Sequence, residues 1–232
     1  MRITVNARSR AAHILLAALA LSAYTLAADA SQLKPPPGAR VAVVMFEDLQ
    51  CPECARAYPL VMDAASAHKV PVVLHDFPLP RHNWSFEAAV WARFFESTSP
   101  ALGHDFRRFI YANQAQISRD NLQQWVKRFA DQNGSPVPLV VDPEGNLAEK
   151  VKSDFALGQR LGVEHTPTIW VVSNDSSLPP LVEEVKDREQ LGQMIESMLK
   201  KAPPARPAPN VSPQKGSAPK KSSAKKIRKA GS

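Results

Sequence analysis

The 232-residue sequence predicts one α/β domain: a central mixed sheet flanked by helices, with a helical insertion between a β-α-β half and a β-β-α half. Three observations carry this expectation. Short apolar runs rich in β-branched residues recur as strands, stretches of helical periodicity lie between them, and both chain ends differ in composition from the middle.

The first strand is Val41-Ala42-Val43-Val44-Met45-Phe46, a continuous apolar run of the kind buried on both faces. The cysteine motif begins five residues later, and after it Ala55, Tyr58, Leu60, Val61, Ala64 and Ala65 recur at helical spacing up to about His68. Val70 to Phe77 reads as a second strand, with Pro71 near its start, where a missing donor is tolerated. Strand, helix, strand implies a parallel crossover. The insertion, about residues 85–160, comprises helices at Ser85 to Glu96, Ala101 to Ala112, Arg119 to Gln132 and Asn146 to Leu161. Ser118, Asp120 and Asn121 offer cap chemistry for the third of these. Thr168 to Val172 and Leu181 to Val185 are the last strands, and a helix from Asp187 to Leu199 closes the domain.

The ends are not globular in composition. Arg2, Arg8 and Arg10 precede an apolar run from Ala11 to Ala28, which closes in Ala28-Asp29-Ala30, a small-x-small cleavage pattern. Residues 1–30 are therefore read as a signal peptide and the protein as exported to the periplasm or another extracytoplasmic space. If uncleaved, the run would act as a membrane anchor. From Lys201 to Ser232 there are nine basic residues and no acidic one, set among Pro, Ala and Ser, the composition of a disordered tail. This tail is a candidate for contact with anionic membrane or cell-wall polymer. Its alternative is a solvated extension without a role.

The formal charge of +7 belongs to these ends. Of the 29 basic residues, nine lie in the tail and three in the leader, so the folded part holds 17 against 21 acids and is about −4. No basic folded surface for specific nucleic-acid binding is expected.

The chain has two cysteines, Cys51 and Cys54 in Cys51-Pro52-Glu53-Cys54. A bridge over so short a loop removes little chain entropy, which favours chemistry over stapling. At i and i+3 of a helix start they share a face, close enough to form a disulfide. The open N–H groups and positive end of the helix favour a thiolate at Cys51, making it the nucleophile, with Cys54 the resolving thiol. Pro52 suits a first helical position, and Glu53 brings a negative charge expected to oppose the thiolate and make the pair less oxidising than a basic residue would. Zinc needs about four ligands. There is no second Cys-x-x-Cys or His-x-x-x-His pair, and with His75 and His82 the nearest candidates, no metal site is assigned.

Three motifs in order resemble the thioredoxin superfamily, in its DsbA-like branch with a helical insertion. They are Phe46-Glu47-Asp48-Leu49-Gln50-Cys51-Pro52-Glu53-Cys54, then Phe77-Pro78-Leu79-Pro80-Arg81-His82, then Gly162-Val163-Glu164-His165-Thr166-Pro167-Thr168-Ile169. The resemblance covers Val41 to Leu199 and implies a thiol-disulfide oxidoreductase that exchanges disulfides with substrate proteins. It needs no cofactor beyond its own redox-active disulfide, and a membrane partner recycles it. It also implies that Pro167 is cis and faces the cysteines, with Thr166 and Pro167 contacting substrate. Relatives bury an acid six residues before the first cysteine, where this chain has Met45; Glu47 takes its place as proton relay if the strand reaches that far. His82 is read as structural. Oxidase, reductase and isomerase use the same two thiols. Oxidative folding is the reading adopted, with periplasmic reductase or isomerase, or a non-catalytic binding module, as alternatives.

Overall fold

A computed structural model describes residues 33–174 and 182–204. The expected leader, Leu181, Asp175 of the expected turn and the tail beyond 204 lie outside the described residues. In chain order the elements are β1 (Val41–Glu47), α1 (Pro52–His68), β2 (Val72–Asp76), α2 (Ser85–Thr98), α3 (Pro100–Asn113), α4 (Leu122–Gln132), α5 (Asn146–Arg160), β3 (Thr168–Ser173), β4 (Val182–Glu184) and α6 (Leu191–Lys201). Four helices thus stand between β2 and β3, as the pattern predicts.

The sheet order is β2-β1-β3-β4, with β1 parallel to β2 and antiparallel to β3, and β3 antiparallel to β4. All seven residues of β1 are buried because both of its faces are covered. Side chains alternate along a strand. Val41, Val43 and Met45 therefore join α1, the insertion helices and α6 in the larger core, while Ala42, Val44 and Phe46 pack with Phe77, Leu157 and Val163 on the other face. The strand runs one residue past the apolar stretch, and the same alternation puts Glu47 on the α1 side.

Local chemistry sets most boundaries. Ser99 ends α2 and caps α3, its Oγ accepting from the Leu102 N–H at 3.1 Å, and Pro100 follows at the first helical position. The start of α4 differs from expectation. The helix begins at Leu122, and the Asn121 side chain turns back to accept from the Ser118 N–H at 2.7 Å, closing the preceding turn without capping the helix. Asp187 likewise caps a short 3-10 turn, Arg188–Gln190, and α6 starts only after it. Arg40 binds the end of α6 and the chain after it, donating to the carbonyls of Leu199, Ala202 and Pro203, so the described fold runs past residue 200.

Helices α2 and α3 cross at Gly103, where an added Cβ would sit 2.6 Å from Glu96 Cβ and 2.8 Å from Glu96 Cα. Backbone cannot yield as a side-chain tip can. Gly103→Ala is expected to destabilise the fold by about 1–3 kcal/mol, read as a lower urea midpoint at unchanged slope.

Candidate active site

The loop between β1 and α1 delivers Cys51 to the open end of the helix. Cys51 is the N-cap residue, with extended backbone (φ −84°, ψ 119°), and Pro52 occupies the first helical position. The loop is held by Asp48, a buried carboxylate that accepts from the Gln50 N–H at 2.7 Å, the Leu79 N–H at 2.7 Å, the His82 ring at 2.6 Å and the Ser85 hydroxyl at 2.5 Å. His82 thus has the structural role expected of it, tying the Phe77–His82 segment to the cysteine loop. Gln114, just past α3, adds two bonds, to the carbonyls of Leu49 and Cys51.

Both cysteines are free thiols and buried. The Thr166–Pro167 peptide is cis, and the Cys51 thiol lies 3.3 Å from the Thr166 carbonyl, so a segment 115 residues away forms the opposite wall. The Thr166 hydroxyl is buried. Hydrogen bonding with Cys54 pulls the Cys51 thiol down to about 5. Burial opposes this, while the Thr166 side chain and the N–H groups of Cys54 and Glu53 at the helix end add to it. Cys54 moves the other way: burial first, then the hydrogen bond and charge of Cys51, push it well above the ordinary thiol range. The Asp48 N–H lies 3.4 Å from its sulfur.

Glu47 is buried on the same side as Cys54, close enough for its charge to raise the Cys54 thiol. Burial raises Glu47 itself, against the Arg107 guanidinium at 2.5 Å and the Tyr111 hydroxyl, which donates at 2.8 Å. Arg107 also holds Asp76 at 2.7 Å, and Arg93 bridges Asp76 and Asp154, both at 2.5 Å. His75 pairs with Asp154 at 2.7 Å, so the two histidines weighed as metal candidates each serve a carboxylate. Met45 is plain core.

Glu53 is exposed, and its carboxylate is held by Arg56 one turn along α1 and by Arg188 at 3.1 Å. Hydrogen bonding from these two side chains draws it down to about 2.

Sequence reasoning missed Asp48, Arg107, Tyr111, Gln114 and Arg188. Two of these left a signal. The buried positions of α3 are Gly103, Phe106, Arg107, Ile110 and Tyr111, a helical stripe on which an arginine demands a buried acid. Asp48 sits two residues before Gln50, the spacing of an Asx turn.

A family model described as Thioredoxin matches residues 36–197. The chain belongs to the thioredoxin family. Its fold is that of DsbA-like and ScsC-like members. Alpha-DsbA1 of Wolbachia pipientis superposes with a TM-score of 0.58 at 16% identity, over 72% of this chain and 89% of that one. A linker-deletion mutant of Proteus mirabilis ScsC gives 0.61 at 20%, over 87% and 100%. A periplasmic thioredoxin-like protein from Salmonella enterica serovar Typhimurium gives 0.55 at 18%, over 70% and 86%. No curated protein matches in sequence. In this thioredoxin-family chain, no helix among the described residues is long and apolar enough to cross a membrane.

The position of the Cys51 thiol has a consequence for stability. Between about 5 and the ordinary thiol value near 8.5, the unfolded reduced chain binds more protons at this site than the folded one, so reduced-state stability rises with pH across that window and the gain vanishes below it. The disulfide form has no such group. The urea midpoint of the reduced protein minus that of the oxidised protein should therefore widen between about pH 4 and about pH 7.5. A gap that stays constant would contradict the depressed thiol.

Proposed function

We propose that the protein is an exported thiol-disulfide oxidoreductase that introduces disulfides into substrate proteins, with Cys51 the exchanging thiol and Cys54 the resolving one. The observation that carries this reading is the Cys51 sulfur at the open end of α1, lowered to about 5 and facing the cis Thr166–Pro167 segment, while Cys54 is raised. A thiol of low pKa leaves readily and stabilises the dithiol, which makes the corresponding disulfide the better oxidant. That asymmetry favours the oxidising direction over reductase or isomerase work.

In the proposed cycle a substrate thiolate attacks the Cys51 sulfur of the Cys51–Cys54 disulfide. The S–S bond breaks, its electron pair leaves on Cys54, and a mixed disulfide joins substrate to Cys51. A second substrate thiolate then attacks the substrate sulfur and displaces Cys51 as a thiolate. The substrate has lost two electrons to become a disulfide, and the protein holds them as a dithiol. Cys54 departs as a strong base and needs a proton. Glu47, buried beside it and raised by burial, is assigned as that donor, with Tyr111 hydrogen-bonded to it. The same carboxylate would take the proton back when the dithiol is reoxidised. Thr166 and Pro167 would line the substrate chain, whose backbone could pair with the segment before the proline. Pro52 fixes the helix start that sets the Cys51 potential.

This chemistry calls for no group beyond the disulfide itself. Substrate proteins with thiols are the proposed partners, and a membrane redox protein would return the dithiol to the disulfide. Export rests on the leader-like residues 1–30 and on the fold shared with a protein described as periplasmic. The polycationic segment after 204 is assigned to contact with an anionic membrane or wall polymer.

Exchange through Cys51 is tested with the reduced protein and a disulfide-bearing peptide. Cys54→Ser should accumulate a mixed disulfide at Cys51, seen by non-reducing mass spectrometry, whereas Cys51→Ser should form none at neutral pH. Equal adduct on Cys54 in the second variant would overturn the assignment of roles, and no exchange by the unaltered protein would make it a binding module.

A further inference from the structure

The middle of the cysteine motif carries an acid, and an acid one residue-pair from a nucleophilic thiolate opposes it by simple charge repulsion. The structure surrounds that acid with two cations from different parts of the chain. Arg56, three residues on along α1, pairs with Glu53 through Nη2 and through Nε at 3.3 Å. Arg188 arrives from the turn before α6, its Nη2 3.1 Å from the Glu53 carboxylate and its Nη1 3.4 Å from the Glu53 carbonyl. The three side chains are exposed to between a third and two thirds, so each arginine is free to swing into water if nothing holds it. An arginine loses rotamer freedom when fixed, and at an exposed site only a carboxylate in good geometry offsets that loss.

We infer that Glu53 acts as an anchor that gathers Arg56 and Arg188 at the rim of Cys51, so that the acid of the motif brings a net positive charge to the thiolate. This deepens the proposed function, since it rests on Cys51 being the exchanging thiol, and it makes Glu53, Arg56 and Arg188 positioning residues. The triad carries one negative and two positive charges. The Cys51 sulfur is near enough to raise Arg56. Among the described residues, the ionisable group bonded to Cys51 is Cys54 on α1, and the exposed Glu164 and His165 directly precede Thr166 in sequence. The Glu53–Arg188 contact also ties the start of α1 to the turn before α6, across 135 residues.

The inference reverses the sign expected of a lone acid. If Glu53 acted by its own charge, Glu53→Gln would make Cys51 more acidic. If it is the anchor, removing it leaves Arg56 without its carboxylate and Arg188 with only the long contact to the residue 53 carbonyl, and the thiol stays where it was or rises. The experiment is iodoacetamide alkylation of the reduced full-length protein across pH, with mass spectrometry to assign the modified cysteine. The set comprises the unaltered chain, Glu53→Gln at an exposed position, Arg188→Gln at a half-buried one, and the double variant. The anchor predicts that at about pH 5 Glu53→Gln alkylates at an equal or slower rate, that Arg188→Gln slows alkylation by about two- to fivefold, and that Arg188→Gln adds nothing further once Glu53 is Gln. Faster alkylation of Glu53→Gln at acid pH, or the same slowing by Arg188→Gln with and without Glu53, would overturn it. Alkylation of the unaltered chain at Cys54 in preference to Cys51 would instead remove the function on which it rests.

Discussion

Cys51 is nearly shielded from water, and a buried anion is unfavourable unless something other than solvent holds it. The open end of α1 answers that need. Hydrogen bonding with Cys54 at that helix end lowers the sulfur most, and the Thr166 side chain and the N–H groups of Cys54 and Glu53 add to it. Much of the surrounding structure serves this placement. Asp48 fixes the loop that leads the chain into the helix, Pro52 sets the first turn, and Gln114 holds the carbonyl of Cys51. The cis segment at Thr166 closes the other side.

The same helix end divides the two thiols. Cys51 sits at its mouth and is lowered, whereas Cys54, one turn in, lies among apolar neighbours and is raised. One thiol is thereby suited to exchange with a partner and the other to wait for it. The cost is a strong base in an apolar place, and the buried Glu47 lies beside it. A lone carboxylate would be untenable there. Arg107 and Tyr111 hold it, and Arg107 in turn shares Asp76 with Arg93, so the charge is carried outward through paired side chains to Asp154 and His75 near the surface. Breaking such a network by removing one member leaves the rest uncompensated, which is why the insertion helix α3 belongs to the site as much as α1 does.

The cysteine pair was legible in the sequence because its chemistry depends on local spacing: a strand, a short loop and a helix start lie within fifteen residues of one another. The sheet and helices were legible for the same reason, their periodicities being local. Pro167 could be placed opposite the cysteines only by resemblance, since 115 residues separate Thr166 from Cys51. The placement of Glu47 on the α1 side turned on whether the strand outlasts its apolar run, and β1 does run to Glu47. The partners of that acid were not readable as partners, although an arginine on the apolar stripe of α3 announced that a buried anion must exist somewhere. The expected effect of Glu53 considered the residue by itself; Arg188 comes from the far end of the fold and no local pattern points to it. The cap expected at Asn121 failed differently, because its side chain had a nearer donor in Ser118 than the helix offered.

An oxidising role requires that the fold favour the dithiol over the disulfide, and the equilibrium between the two states measures that preference directly. Titration of the full-length protein against glutathione, with the fraction of free Cys51 and Cys54 read by alkylation, should give a potential more positive than about −200 mV, on the oxidising side of the family range. A value near the roughly −270 mV of thioredoxin would contradict the account, because a thiolate held as firmly as the surroundings of Cys51 imply could not coexist with so stable a disulfide.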